Sequence, residues 1–226
     1  MNARNPSCLP SARAFQLASQ ALPIGAFAYS GGLESALDIG LLEGEEDAAE
    51  LLGSWMEASL AYLDLPSFLF IRRAFLTDDI ARASWLSARL LASRESSELQ
   101  AQDRQMARAL RRVLLRLAPS ALPAEWMPST YAEALARATI AYELEQEAAQ
   151  MVLCYGWIEQ HTSALCRLIP LGPLAGQTLL DSCLRRLPTV MAAAATVTEE
   201  EIGASCPGMA LASALHETQY TRLFRS

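Results

Sequence analysis

Apolar positions recur at steps of three and four along most of the chain, the period of helices that bury one face. Ser11–Ala21 predicts a first short helix, closed by Leu22-Pro23-Ile24-Gly25. Ser30 is placed to cap a second, with Leu33, Leu37 and Leu41 on one face. An acidic run, Glu43–Glu50, opens a third, in which Leu51, Trp55, Ala58 and Tyr62 keep the helical period. Pro66 stands where a fourth helix would begin. Ser96 or Ser97 starts a long helix to about Leu117, apolar along Leu99, Met106, Leu110, Val113 and Leu117. Another runs from about Glu143 to Leu168, with Leu144, Ala148, Val152, Tyr155, Ile158 and Thr162 in register. Pro170-Leu171-Gly172-Pro173 breaks it. Helical pattern returns over Leu174–Leu187, again in the alanine-rich stretch after Thr189, and last over Met209–Leu215. The tail, His216–Ser226, loses the period. Pro and Gly fall singly between these segments, and no repeat or flexible linker separates them.

Composition agrees with the pattern. The 226 residues suffice for one sizeable domain, and 40 Ala and 37 Leu stand against 4 Val and 8 Ile. Ala and Leu favour helices, and β-branched residues favour strands, so the chain reads as all-α and a sheet-based nucleotide fold is excluded. All 18 basic residues are Arg. With no Lys there is no Schiff base, no P-loop lysine and no lysine general base. A net charge of -7 speaks against nucleic acid as a partner. The five cysteines, Cys8, Cys154, Cys166, Cys183 and Cys206, are odd in number and unclustered, which fits buried thiols in a reducing cytoplasm. No apolar core follows Arg4, as a secretory signal would require. Ala14–Leu33 is uncharged but broken by Gln16, Gln20, Pro23, Gly25 and Ser30, so it predicts no membrane span. A mean hydropathy of +0.15 leaves apolar surface for partners to cover.

A search for chemistry finds no self-contained active site. The carboxylate runs Glu45-Glu46-Asp47 and Glu199-Glu200-Glu201 sit where they would complement helix dipoles. Gly31-Gly32 is too short for a phosphate loop, and Ser30 lacks the strand-turn-helix setting of a nucleophile elbow. His161 reads as a hydrogen-bonded structural residue. Cys206 and His216 could hold a soft metal only with donors from a partner or a second copy. Arg104, Arg108, Arg112 and Arg116 form a stripe that is either a solvated face or a contact for an acidic partner. Two segments stand out. Leu22–Glu34 carries Tyr29, Ser30 and Glu34, residues of exposed type, on a constrained turn; it is an interface or an ordinary interhelical loop. The tail carries Tyr220, Arg222, Phe224 and Arg225, types that dominate binding hot spots. It is an arm ordered mainly by a partner, or a strap on its own domain.

These segments resemble the urease accessory protein family UreF. Leu17-Ala18-Ser19 followed by Leu22–Glu34 is similar to that family's opening signature, and His216–Ser226 to its ending. Ser93-Arg94-Glu95 and Arg167-Leu168-Ile169-Pro170-Leu171-Gly172 resemble it between them. Gly31 stands where Gln or His is usual, Pro173 where Gln is usual, and Thr130–Ala149 lacks a His-Pro element. The resemblance implies a single-domain bundle of about ten helices over residues 1–215, with 216–226 as a partner-binding tail. It implies a homodimer that binds UreD (also called UreH), recruits the GTPase UreG and helps deliver nickel to the urease apoprotein. No catalysis, resident cofactor, nucleic acid or membrane enters that picture. The residues it marks for partner binding are Tyr29, Ser30, Gly32 and Glu34; Arg94 and Glu95; Pro170, Leu171 and Gly172; and Glu217, Tyr220, Arg222, Leu223, Phe224 and Arg225. Two other readings stay open: a regulator of GTP hydrolysis in UreG, and a metal carrier using Cys206 and His216. A helical enzyme with a diffuse active site would leave both terminal segments unexplained.

Overall fold

A computed structural model describes residues 8–123, 125–203 and 206–226, the side chain of Cys8 excepted. Arg4 therefore lies outside the described residues. Among those described the chain is all-α: α1 (Cys8–Ala18), α2 (Leu33–Asp38), α3 (Glu45–Trp55), α4 (Leu65–Leu76), α5 (Ile80–Ala92), α6 (Ser97–Leu117), α7 (Tyr131–Ala141), α8 (Gln146–Leu168), α9 (Pro173–Thr196) and α10 (Pro207–His216). Side-chain caps fix several starts. Asp79 accepts from the Arg82 amide at 2.9 Å, Ser96 from Leu99 at 3.1 Å and Thr130 from Glu133 at 3.2 Å. The centre of the bundle is α4, which packs against α5, α7, α8 and α9. Its Leu65, Phe68 and Ile71 are wholly buried.

Three helical readings need correction. A π-helical segment, Met56–Asp64, joins α3 to α4 without a break. Its bonds reach five residues back, so the apolar register drifts. Leu52, Trp55, Met56, Leu60 and Leu63 turn inward, and Tyr62 is left 44% exposed. Pro66 therefore sits inside a continuous rod. It cannot donate to the Tyr62 carbonyl four residues back. That carbonyl accepts from the Gly203 amide at 3.1 Å instead, which ties the loop before α10 to the rod. Second, α2 stops at Asp38, so Leu41 lies beyond it and Leu42 takes the buried place. Third, α9 runs unbroken through Pro188 where the pattern suggested two helices. Helices α5 and α7 were not foreseen. Most of α7 is buried, Ala132 to Ala136 without interruption, so it shows no one-sided stripe.

One polar cluster is built into this core. Arg94, between α5 and α6, reaches Asp64 at 2.6 Å and Asp103 at 2.9 Å. Asp64 also accepts from Ser59 at 2.9 Å, and Asp103 from the Tyr131 amide at 2.6 Å. Burial works against the Arg94 charge, but the two carboxylates outweigh it and raise its pKa further. The cluster pins the π segment, α6 and α7 to one cation. Removing one partner of a buried ion pair strands the rest. Arg94→Ala is therefore expected to lower stability by about 3–5 kcal/mol in urea unfolding. Arg94→Lys should recover only part of this, because an ammonium lacks the planar fork that spans both carboxylates.

Candidate functional site

The site grows from the turn between α1 and α2. Pro23 and Gly25 lead into a single 3-10 turn, Ala26–Ala28, and two glycines with positive φ then aim the chain into α2. Gly31 has φ 64°, and a Cβ there would stand 2.8 Å from His161 Nε2. Gly32 has φ 94°, and a Cβ there would stand 3.0 Å from the Ser213 amide. Both glycines let backbone pass close against α8 and α10. Here the reading of Tyr29, Ser30 and Glu34 as exposed is overturned, since they retain only 4%, 0% and 7% of their exposure. Each polar tip finds its partner inside the protein. The Tyr29 hydroxyl donates to Gln105 on α6 at 2.6 Å.

The partners of Ser30 and Glu34 come from the other end of the chain. After α10 the tail turns back and lies along the turn. The Ser30 amide and hydroxyl both donate to the Ser226 carbonyl, at 2.8 and 2.5 Å. The Arg225 amide donates to the Ala28 carbonyl at 2.9 Å. The Leu223 and Phe224 amides donate to the two oxygens of Glu34, at 2.5 and 2.8 Å. His216, wholly buried, meets Glu34 at 3.2 Å through Nε2 and Glu98 of α6 at 2.6 Å through Nδ1. Arg222 adds its own bond to Glu98 at 2.7 Å. Glu217 accepts from the Ser97 amide and hydroxyl at 2.6 and 2.7 Å, which places its pKa below the ordinary carboxylate value. The Ser226 hydroxyl donates to Gln102 at 2.7 Å.

Phe224 is buried within its own chain, under the Arg167 guanidinium at 4.3 Å from the ring centre. Arg167 also donates to the Phe27 carbonyl at 2.7 Å. The structure thus brings Ser30, Gly32, Glu34, Glu217, Arg222, Leu223, Phe224 and Arg225 into one assembly, as the strap reading has it. Its outer rim is apolar and cationic. Tyr220 is fully exposed, Leu223 is 55% and Phe27 70% exposed, and Arg225 faces outward. Arg94 is held in the core cluster, while Glu95 is exposed beside it. Pro170 and Gly172 are exposed and Leu171 is half-buried, on the loop that follows Arg167. Ser97 was read from the sequence only as a helix start and Arg167 only within the resembling run, and two residues of this assembly were not singled out at all: Glu98 and Gln102. Their types are ordinary on helices, and only the returning tail gives them a task.

His161 stacks on Trp157 at 3.8 Å and donates from Nδ1 to the Trp157 carbonyl at 2.7 Å, so Nε2 carries the bare lone pair. Burial pushes its pKa down to about 4, against the pull of that carbonyl and Asp64. Cys154, Cys166, Cys183 and Cys206 are unpaired, and burial raises every one of these thiols, Cys154 to about 12. Among the described residues no three His, Cys, Asp or Glu side chains converge as a metal-ligand set. Both His216 nitrogens are already engaged, which weighs against the carrier reading with Cys206. No helix among the described residues is long and apolar enough to cross a membrane.

Comparison with known proteins bears on the whole chain. The UreF family profile matches residues 42–184. The urease accessory protein UreF of Alkalilimnicola ehrlichii is 40% identical over 229 aligned positions, covering 98% of each chain. That of Azoarcus sp. is 38% identical, covering 96% of each. That of Dechloromonas aromatica is 37% identical, covering 97% of this chain and 99% of its own.

Two outcomes follow from the geometry. Glu34→Gln places an amide where two backbone N–H donors and the His216 ring converge on a carboxylate, so the strap should loosen. Trypsin is expected to cut after Arg222 and Arg225 faster than in the parent protein, with the helical circular dichroism unchanged. For His161, the unfolded ring takes up a proton near pH 6.5 and the folded one only near pH 4. Between those values the unfolded state binds more protons, so stability falls on acidification, by about 3 kcal/mol across the window. Urea midpoints measured from pH 7 to pH 4 should show this slope, and His161→Gln should flatten it.

Proposed function

The chain belongs to the UreF family of urease accessory proteins, and on that premise we propose that it works as an adaptor in maturation of the urease metallocentre. It binds a UreD/UreH protein, recruits the GTPase UreG, and holds both for delivery of nickel to the urease apoprotein. It acts as a homodimer in the cytoplasm, with nickel as cargo and with no resident cofactor or reaction of its own. The single observation that carries this reading is the strapped C-terminal assembly. Its base is fixed by buried hydrogen bonds, and its rim offers Tyr220, Leu223, Phe27 and Arg225 to the outside. A pre-ordered aromatic and cationic rim loses little conformational entropy on docking, so more of its burial energy appears as affinity.

Tyr220 and Leu223 contribute little to the fold through their side chains, which makes them clean probes. Tyr220→Ala with Leu223→Ala is expected to weaken binding to the UreD/UreH protein by about 2 kcal/mol, or roughly thirtyfold, with the melting temperature unchanged. Affinity equal to that of the parent in isothermal titration would remove the rim from the docking surface. Tyr29→Ala should behave in the opposite way. It empties a core position, so it should lower the melting temperature and affect partners only through that loss.

A further inference from the structure

The arginine stripe of α6 is unlike most of the other described arginines. Arg94 is held by Asp64 and Asp103, Arg186 by Glu57, Arg222 by Glu98, and Arg89 by three carbonyls. Arg108, Arg112 and Arg116 are exposed and have no hydrogen bond, ion pair or ring contact among the described residues. Arg104, also exposed, reaches only Gln100 at 3.5 Å. The acidic residues of α6 cannot serve them. Glu98 is committed to His216 and Arg222, and Asp103 to Arg94 and Tyr131. Like charges four residues apart destabilise a helix. Yet this chain carries 25 acidic residues, and among the described residues none forms an ion pair with the stripe.

A second feature adjoins it. A shallow groove of about 420 Å³ lies beside the C-terminal end of the stripe, lined by Leu22, Pro23, Val113 and Leu117 together with Arg116 and the polar Gln16 and Ser19. Leu117 is 44% exposed. The surface thus combines a row of cations with an apolar notch at one end. Successive arginines of the row are separated by roughly 6 Å along the axis, the rise of four helical residues. Gln102 of the same helix seats Ser226, so the strap and the row are both carried by α6.

We infer that this surface docks an acidic amphipathic helix of a maturation partner. Carboxylates spaced four apart on that helix match the arginine row, and an apolar side chain at its end fills the notch. A nucleic acid fits less well. Its phosphates could meet the arginines but leave the apolar notch empty, and the net charge of -7 repels a polyanion at long range. The inference rests on the adaptor reading, because it takes its partner from that complex.

The test uses the full chain and purified UreD/UreH, UreG and urease apoprotein, each titrated against three forms: the parent, Arg108→Glu with Arg112→Glu, and Arg108→Lys with Arg112→Lys. Binding is read at about 50 mM and about 300 mM salt, on either side of the range where surface charge is strongly screened. Charge reversal is expected to weaken one of the complexes by about tenfold or more, the lysine form to stay within about threefold, and salt to weaken the parent complex but not the reversed one. If the parent binds its partners and the reversed form binds all of them equally well, the docking surface is wrong and the adaptor reading stands. If the parent binds none of the three, both fall. If the parent holds a labelled single-stranded RNA more tightly than any of these proteins, and charge reversal releases it, the stripe belongs to nucleic acid and the inference is overturned. Circular dichroism of the reversed form guards against reading a melted helix as lost docking.

Discussion

A carboxylate removed from water must be met by donors, and Glu34 has almost all of its surface covered. Its donors are the amides of Leu223 and Phe224 and the ring of His216. Those three groups come from the tail and from the end of α10, on the opposite side of the sequence. This one requirement fixes the path of the returning tail, the position of α10 on α2, and, through Glu98, the attachment of both to α6. The surrounding glycines then follow. Gly31 and Gly32 must be small because α8 and α10 are drawn against them.

A rigid base of this kind changes what the tail can do. An arm that orders only on docking loses conformational freedom at that moment. A strap already held by hydrogen bonds to Ala28, Ser30, Glu34, Ser97, Glu98 and Gln102 has met most of that cost during folding. Its inward groups, Phe224 and His216, hold the fold, while Tyr220 and Leu223 remain for contact. The division runs residue by residue along the tail. It explains how types that look alike in sequence, Tyr29 and Tyr220 for instance, end up in opposite roles.

Much of the bundle was legible in the sequence because helix period and caps are local signals. The starts of α6 at Ser96 and the break at Pro170-Leu171-Gly172-Pro173 are of this sort. The register slip at Tyr62 was not, since a π turn leaves the apolar pattern almost as it was while rotating every later side chain. Nor was α7, which is covered on most sides and shows no stripe. At the site, the two unusual segments could be picked out separately by composition and resemblance. That they pair with one another could not. Ser30 and Glu34 look like surface residues until their partners arrive from about 190 positions away. Glu98 and Gln102 carried no signal of their own, because each acquires its role only from the tail that folds onto it.

That separation has a consequence for synthesis. The nascent chain exposes Glu34 early, and the amides that cover it emerge 190 residues later. At 5–20 residues per second this interval is roughly 10–40 s. Throughout it the turn between α1 and α2 holds a carboxylate it cannot yet bury, so this part of the molecule stays open until the strap has been made. A polypeptide halted by a premature stop anywhere before the strap would keep that opening permanently. Loss of the strap would therefore be felt far away in sequence, at the turn between α1 and α2.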